Sequence, residues 1–90
     1  MKLIQLVGNL ASFDTDTTIY ASEPWATDCE ATVALESEMP PAALEQLKMK
    51  YFLEVSIARE FLDDWAASLE KSPTLGERCA RLIHYAIYDA

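Results

Sequence analysis

Few side chains in this 90-residue chain are of types that do chemistry, beginning with one histidine, His84, and two cysteines, Cys29 and Cys79. A thiol nucleophile needs a base beside it. Cys79 and His84 fall on one predicted helix, five positions apart, so they are separated by about 500° of rotation and point roughly 140° apart. They cannot pair within that helix. Neither cysteine belongs to a zinc-ligand spacing or a disulfide framework, and both read as small buried hydrophobes in a reducing cytoplasm. Glu60 and Asp64 share a helix face at i and i+4, whereas the adjacent Asp63 and Asp64 do not. Nothing beside them marks a cleft or a raised pKa, and solvent and Arg59 account for them without acid–base work. The "DTD" at 14–16 lacks the other ligands and the glycine of a calcium loop. With only Gly8 and Gly76, there is no glycine-rich phosphate loop. The expectation is a protein without catalytic residues, metal or cofactor.

Charge is the stronger signal. The net charge is −8. Residues 1–47 hold eight acids against Lys2 alone, while residues 48–90 hold seven acids against six bases. The stretch "FDTDTTIYASEPWATDCEATVALESEMP", residues 13–40, has seven acids and no base. Phosphate backbones and anionic lipid surfaces repel such a chain, which argues against direct nucleic-acid binding and membrane association. No apolar run approaches the roughly 20 residues of a membrane span. The opening "MKLIQLVGNLASF" is interrupted by Gln5 and Asn9 and reads as part of the folded domain rather than as a leader.

Surface charge keeps small proteins soluble, yet an acidic run this one-sided repels itself and works against folding. Its counterpart is expected on another molecule. Trp25 follows Pro24 in a loop between two predicted strands, flanked by Glu23 and Asp28. One reading folds Trp25 back over the core. The other leaves Trp25 and Tyr20 exposed among carboxylates, the composition of a hot spot for a basic partner. The expected partner-binding set is Asp16, Tyr20, Glu23, Trp25, Asp28, Glu30 and Glu36. The stripe of Arg78, Arg81, Tyr85 and Tyr88 could stack on bases in another protein, but two arginines do not overcome a charge of −8.

The elements that must hold these residues follow from periodicity. Leu3, Val7 and Leu10 repeat at helical spacing and predict a helix over 2–12, with a strand as alternative because of Gly8 and Asn9. "DTDTT" breaks it. "TTIYAS" is a short strand, and "EPWATD" is a loop because Pro24 cannot donate to a ladder. Residues 29–36 alternate Cys29, Ala31, Val33 and Leu35 with polar partners, a half-buried strand pairing antiparallel with the first. Pro40 and Pro41 suit the start of a short helix, "AALEQLK". Apolar steps from Leu44 to Leu69 would permit one helix of nearly thirty residues. "KYFLEV" is dense in strand formers, however, and so long a helix is unusual in a small domain. The reading taken is a strand at 50–55 and then a helix at 57–70. Thr74 and Glu77 match a capping box, so a last helix runs over 75–88. The sum is one α+β domain over residues 1–90. It has a small antiparallel sheet of about three strands, helices packed on one face, and two C-terminal helices.

The layout "IYASEPW", a β-branched strand and "YFLEVSIAREFLDDW", across residues 18–65, resembles small uncharacterised bacterial domains. In size and acidity the chain is also similar to nuclease-inhibiting immunity proteins and phage-encoded inhibitors. The shared pattern is a spacing of apolar residues and a tryptophan, and it implies no catalytic activity. The leading expectation is a cytoplasmic, non-enzymatic protein that covers and inhibits a basic partner of nuclease or nucleic-acid-binding type. The alternative is an assembly module that forms a homodimer, or docks on a larger complex, through apolar helix faces. Salt separates them, because charge-steered association weakens steeply as salt rises and apolar assembly does not.

Overall fold

A computed structural model describes residues 1–89. The described chain runs α1 (Leu3–Gly8), β1 (Thr18–Ser22), β2 (Ala31–Ala34), α2 (Pro41–Leu47), β3 (Met49–Glu54), α3 (Val55–Ala67) and α4 (Leu75–Tyr88). The sheet is antiparallel throughout, in the order β2-β1-β3. The α+β class, the three strands and the two C-terminal helices stand as read from the sequence.

The first helix is shorter than its apolar spacing suggests. Gly8 and Asn9 end it, the Asn9 side chain donates to the Gln5 carbonyl at 2.9 Å, and Leu10–Ser12 continue as a single 3-10 turn. Gly8 also permits a close approach, since a Cβ there would lie 3.2 Å from Leu75 Cδ2 at the start of α4. Upstream of α1, the Met1 carbonyl accepts from Ala31 N at 2.8 Å, which seals one end of the β2 edge.

Residues 41–67 are not one helix. Lys48 adopts the left-handed conformation at φ 56°, which closes α2 and turns the chain into β3. A strand predicted by simple alternation would bury every second residue of β3. Instead Phe52 and Leu53 are both buried, because the register with β1 shifts between Ile19 and Tyr20 and Phe52 is the extra residue of a bulge. The strand passes into α3 at Val55 without a loop, and Val55 N donates to the Thr17 carbonyl at 3.0 Å. The boundary lies two residues earlier than the apolar pattern of α3 indicated.

Ile19, Ala21, Ala31 and Leu53 face α1, α3 and α4 and close a core with Leu3, Leu6, Val55, Ala58, Leu62, Cys79 and Leu82. Each fully buried leucine or isoleucine there contributes about 2 kcal/mol of hydrophobic stabilisation. The helices do not all pack on that face. Thr18 and Tyr20 alternate with Ile19 and are 2% and 3% exposed, yet they lie outside this core cluster. Their face carries Tyr51 and Met49, against which residues of α2 pack. The helices thus pack around the sheet, with α2 against its β3 edge.

Candidate partner-binding surface

Six of the seven predicted residues divide between the two ends of the sheet, and Tyr20 lies between them within β1. At one end, β1 finishes at Ser22, beside Met49 and near Glu30. At the other, Thr18 lies between Ala34 and Glu54. Glu23, Trp25, Asp28 and Glu30 belong to the first end, Asp16 and Glu36 to the second.

At the first end Glu23 and Glu30 already have cations, while Asp28 is exposed with no ion pair within 4.0 Å among the described residues. Lys2 Nζ donates to Glu30 Oε1 at 2.7 Å, and the Met1 amine stands 3.6 Å from Glu30 Oε2. The Lys2 hydrogen bond and charge hold the Glu30 carboxyl below its ordinary range and hold the Lys2 ammonium above its own. Glu23 pairs with Lys50 at 3.1 Å. Trp25 is half-buried, meets Phe52 edge-on at 4.9 Å and donates its ring N–H to the Ala21 carbonyl at 3.3 Å. It is the lid over the core, as the first of its two readings had it. Tyr20 is buried, so the exposed Trp25–Tyr20 pair of the second reading does not form. A central strand between two neighbours leaves its side chains no open surface once both faces are covered.

The second end is different. Asp14 Oδ1 accepts from Asp16 N at 3.0 Å, and the Asp14 carbonyl accepts from the backbone and hydroxyl of Thr17. This turn fixes Asp16 outward, and the Val55–Thr17 hydrogen bond brings the start of α3 beside it. Glu36 arrives on the 3-10 turn that follows β2. Asp16, Glu36 and Glu54 line one shallow cleft of 400 Å³. Glu60, Asp63 and Asp64 line its neighbour, of 360 Å³, together with Arg59. Thr15 and Ser56 belong to both, so the two clefts are continuous. None of these six carboxylates has an ion pair within 4.0 Å among the described residues. The acids of α3 are legible in the sequence at i, i+3 and i+4, but their neighbourhood with the 14–17 turn depends on a strand-to-helix junction that periodicity cannot locate.

The chemically reactive side chains stand apart. Cys79 is fully buried, and burial, with a smaller push from Cys29, raises its thiol to about 11. His84 is exposed and packs on Tyr88 with ring centroids 4.7 Å apart. Arg81 lies over the Phe61 ring at 4.9 Å, and Phe61 stacks on Tyr85 at 4.1 Å, which ties α4 to α3. Among the described residues no three His, Cys, Asp or Glu side chains converge to hold a metal, and no helix is long and apolar enough to cross a membrane.

Comparison with known proteins adds no relative: no family model, no curated protein and no solved structure matches the chain.

Proposed function

We propose that this protein is a non-enzymatic, cytoplasmic acidic binding protein that covers and inhibits a basic partner, of nuclease or nucleic-acid-binding type. The observation that carries this reading is the continuous acidic surface at one end of the sheet, where six carboxylates face solvent with Arg59 as the one base lining the clefts. Desolvating such a cluster alone is unfavourable, while a cationic surface laid over it gains charge-assisted hydrogen bonds. Like-charge concentration also speeds the encounter with a basic protein and makes it salt-dependent. The face assigned from sequence accordingly shifts. Asp16 and Glu36 remain, Glu60, Asp63 and Asp64 join them, and Glu23 and Glu30 drop out because their charges are matched within the chain.

The test is recovery of the partner from an extract of the source organism, followed by association kinetics. Neutralising Asp16, Glu36, Glu60, Asp63 and Asp64 to Asn or Gln should slow association at least about tenfold and flatten its salt dependence. Neutralising Asp28 and Glu70 should change little. Equal loss from both sets would move the docking face elsewhere. The assembly-module reading has one observation in its favour, the uncovered apolar side chains Leu47, Ile87 and Tyr88.

A further inference from the structure

Arg78 belongs by spacing to a stripe with Arg81, Tyr85 and Tyr88, but the fold gives the two arginines different surroundings. Arg81 lies over the Phe61 ring. Arg78 lines a hollow of 280 Å³ where the end of α1, the 3-10 turn, α3 and the start of α4 meet. Gly8 permits that meeting, because a Cβ there would press on Leu75. Val7, Leu10, Leu62 and Leu75 form the apolar wall of the hollow, and Arg59, Asp63 and Arg78 are its charged residues. It is more enclosed than either acidic cleft. Both arginines are half-buried, and neither has an ion pair within 4.0 Å among the described residues. In a chain with fifteen acids that calls for a cause. The Glu77 carboxylate, beside Arg78 in sequence, is held by Thr74 N at 2.9 Å. Asp63 stands one turn beyond Arg59 on α3 and has no ion pair within 4.0 Å either. One carboxylate cannot neutralise two guanidinium groups, so the hollow keeps a net positive charge. A charge drawn partly out of water without a partner is unfavourable, and an anion seated there would relieve it.

We propose that this hollow binds a carboxylate with a small apolar body, its head between Arg59 and Arg78 and its body against Leu10, Leu62 and Leu75. Each guanidinium presents a planar fork of N–H donors, which matches the two oxygens of a carboxylate. Asp63 selects a monoanion, because a second negative charge on the ligand would meet its carboxylate without a third cation. The net charge of −8 acts in the same direction, since the chain repels a dianion more strongly than a monoanion. At about 0.15 M salt, screening over about 8 Å weakens that distant repulsion and leaves the two adjacent arginines to decide. An apolar wall with a few convergent polar groups is the usual composition of a small-molecule site. A free organic acid and the C-terminal carboxylate of a peptide share this chemistry. The site is independent of the acidic surface, although Arg59 and Asp63 border both.

Titration of the full chain with hexanoate at fixed ionic strength, followed by NMR, tests this. The methyl resonances of Val7, Leu10, Leu62 and Leu75 should shift together and saturate at millimolar ligand. Hexanamide, neutral and of the same shape, should leave them in place. Arg59→Gln and Arg78→Gln should each weaken binding at least about tenfold, whereas Asp63→Asn should tighten it severalfold. Arg78→Lys keeps the charge without the fork and should lose less than Arg78→Gln. Thermal melts show that each variant folds, and the lysine variant carries the test if the glutamine variant does not. Hexanoate that fails to saturate, or that shifts only other methyls, would overturn the proposal. Binding indifferent to both arginines, or shared equally by hexanamide, would do the same. Tighter binding of hexyl phosphate than of hexanoate would overturn the choice of a monoanion. A dipeptide ending in leucine, as free acid and as amide, separates the two sources. If the peptide acid binds more tightly than hexanoate, a peptide C-terminus is the ligand; if more weakly, a small organic acid is. Asp63→Asn is expected to slow association with a basic partner and to tighten hexanoate, so the two readings fail independently.

Discussion

Burial, and then the negative charge of Glu36, hold the Tyr20 phenol above its ordinary ionisation range, and burial with Glu54 does the same for Tyr51. A proton held more tightly in the folded state contributes stability that is fully present below the unfolded value, about pH 10. That stability is lost as pH rises through the folded value. Melting temperature should therefore fall above about pH 10. In Tyr20→Phe, which has no phenol to ionise, the fall should be shallower, with little change at neutral pH. An identical alkaline slope in the variant would show that Tyr20 ionises as freely in the folded protein as in the unfolded one. Cys79 offers an independent check. With its thiol raised to about 11 and the side chain fully buried, native protein at pH 8 should alkylate there only as fast as it unfolds, since the thiolate is the nucleophile. Mass spectrometry locates the adduct. Rapid labelling of Cys79 without unfolding would mean that α4 opens locally.

Thr74 caps α4 through a reciprocal pair: Glu77 N donates to Thr74 Oγ1 at 3.2 Å, and Thr74 N donates to the Glu77 carboxylate at 2.9 Å. The backbone hydrogen bond also holds the Glu77 carboxyl below its ordinary range. Thr74→Ala should cost about 1 kcal/mol, or roughly 4 to 8 °C of melting temperature in a domain of this size. A loss below a few tenths of a kilocalorie would mean that Leu82 and Cys79, docked in the core, hold the helix without its cap. This helix was legible to the residue, because a capping box is local chemistry written in four consecutive letters. β3 was legible only as a strand. Which of its side chains turn inward depends on the bulge against β1, and that register is set by a partner about thirty residues away. The same limit applies to the site. Asp16 and Glu36 were singled out by composition. For the acids of α3 the sequence offers only solvent and Arg59 as neighbours, because the Val55–Thr17 hydrogen bond that brings the 14–17 turn beside them is a contact between segments far apart in sequence. Trp25 and Tyr20 show the reverse, since neither composition nor spacing reveals that the one lies on Phe52 and the other is buried in the central strand.

Across the whole molecule, net repulsion competes with a few surface ion pairs, and magnitude decides between them. The bridges from Glu30 to Lys2 and from Glu23 to Lys50 are exposed, and such pairs contribute about 0 to 1 kcal/mol each. Against them stands a net charge of −8, concentrated in part on the acidic end. The molecule is 44 Å long. At about 0.15 M salt the screening length is about 8 Å, so repulsion survives only within the cluster, whereas at about 0.01 M it reaches about 30 Å and spans most of the chain. Repulsion should win at low salt. Raising sodium chloride over that range at fixed protein concentration should increase the melting temperature by several degrees, on the scale of about 1 kcal/mol. The variant neutralised at Asp16, Glu36, Glu60, Asp63 and Asp64 should start from a higher melting temperature in low salt and gain less as salt is added. If the wild-type protein instead melts earlier as salt rises, the ion pairs outweigh the repulsion. The acidic end would then cost the fold nothing, and it would need no cationic partner to relieve it.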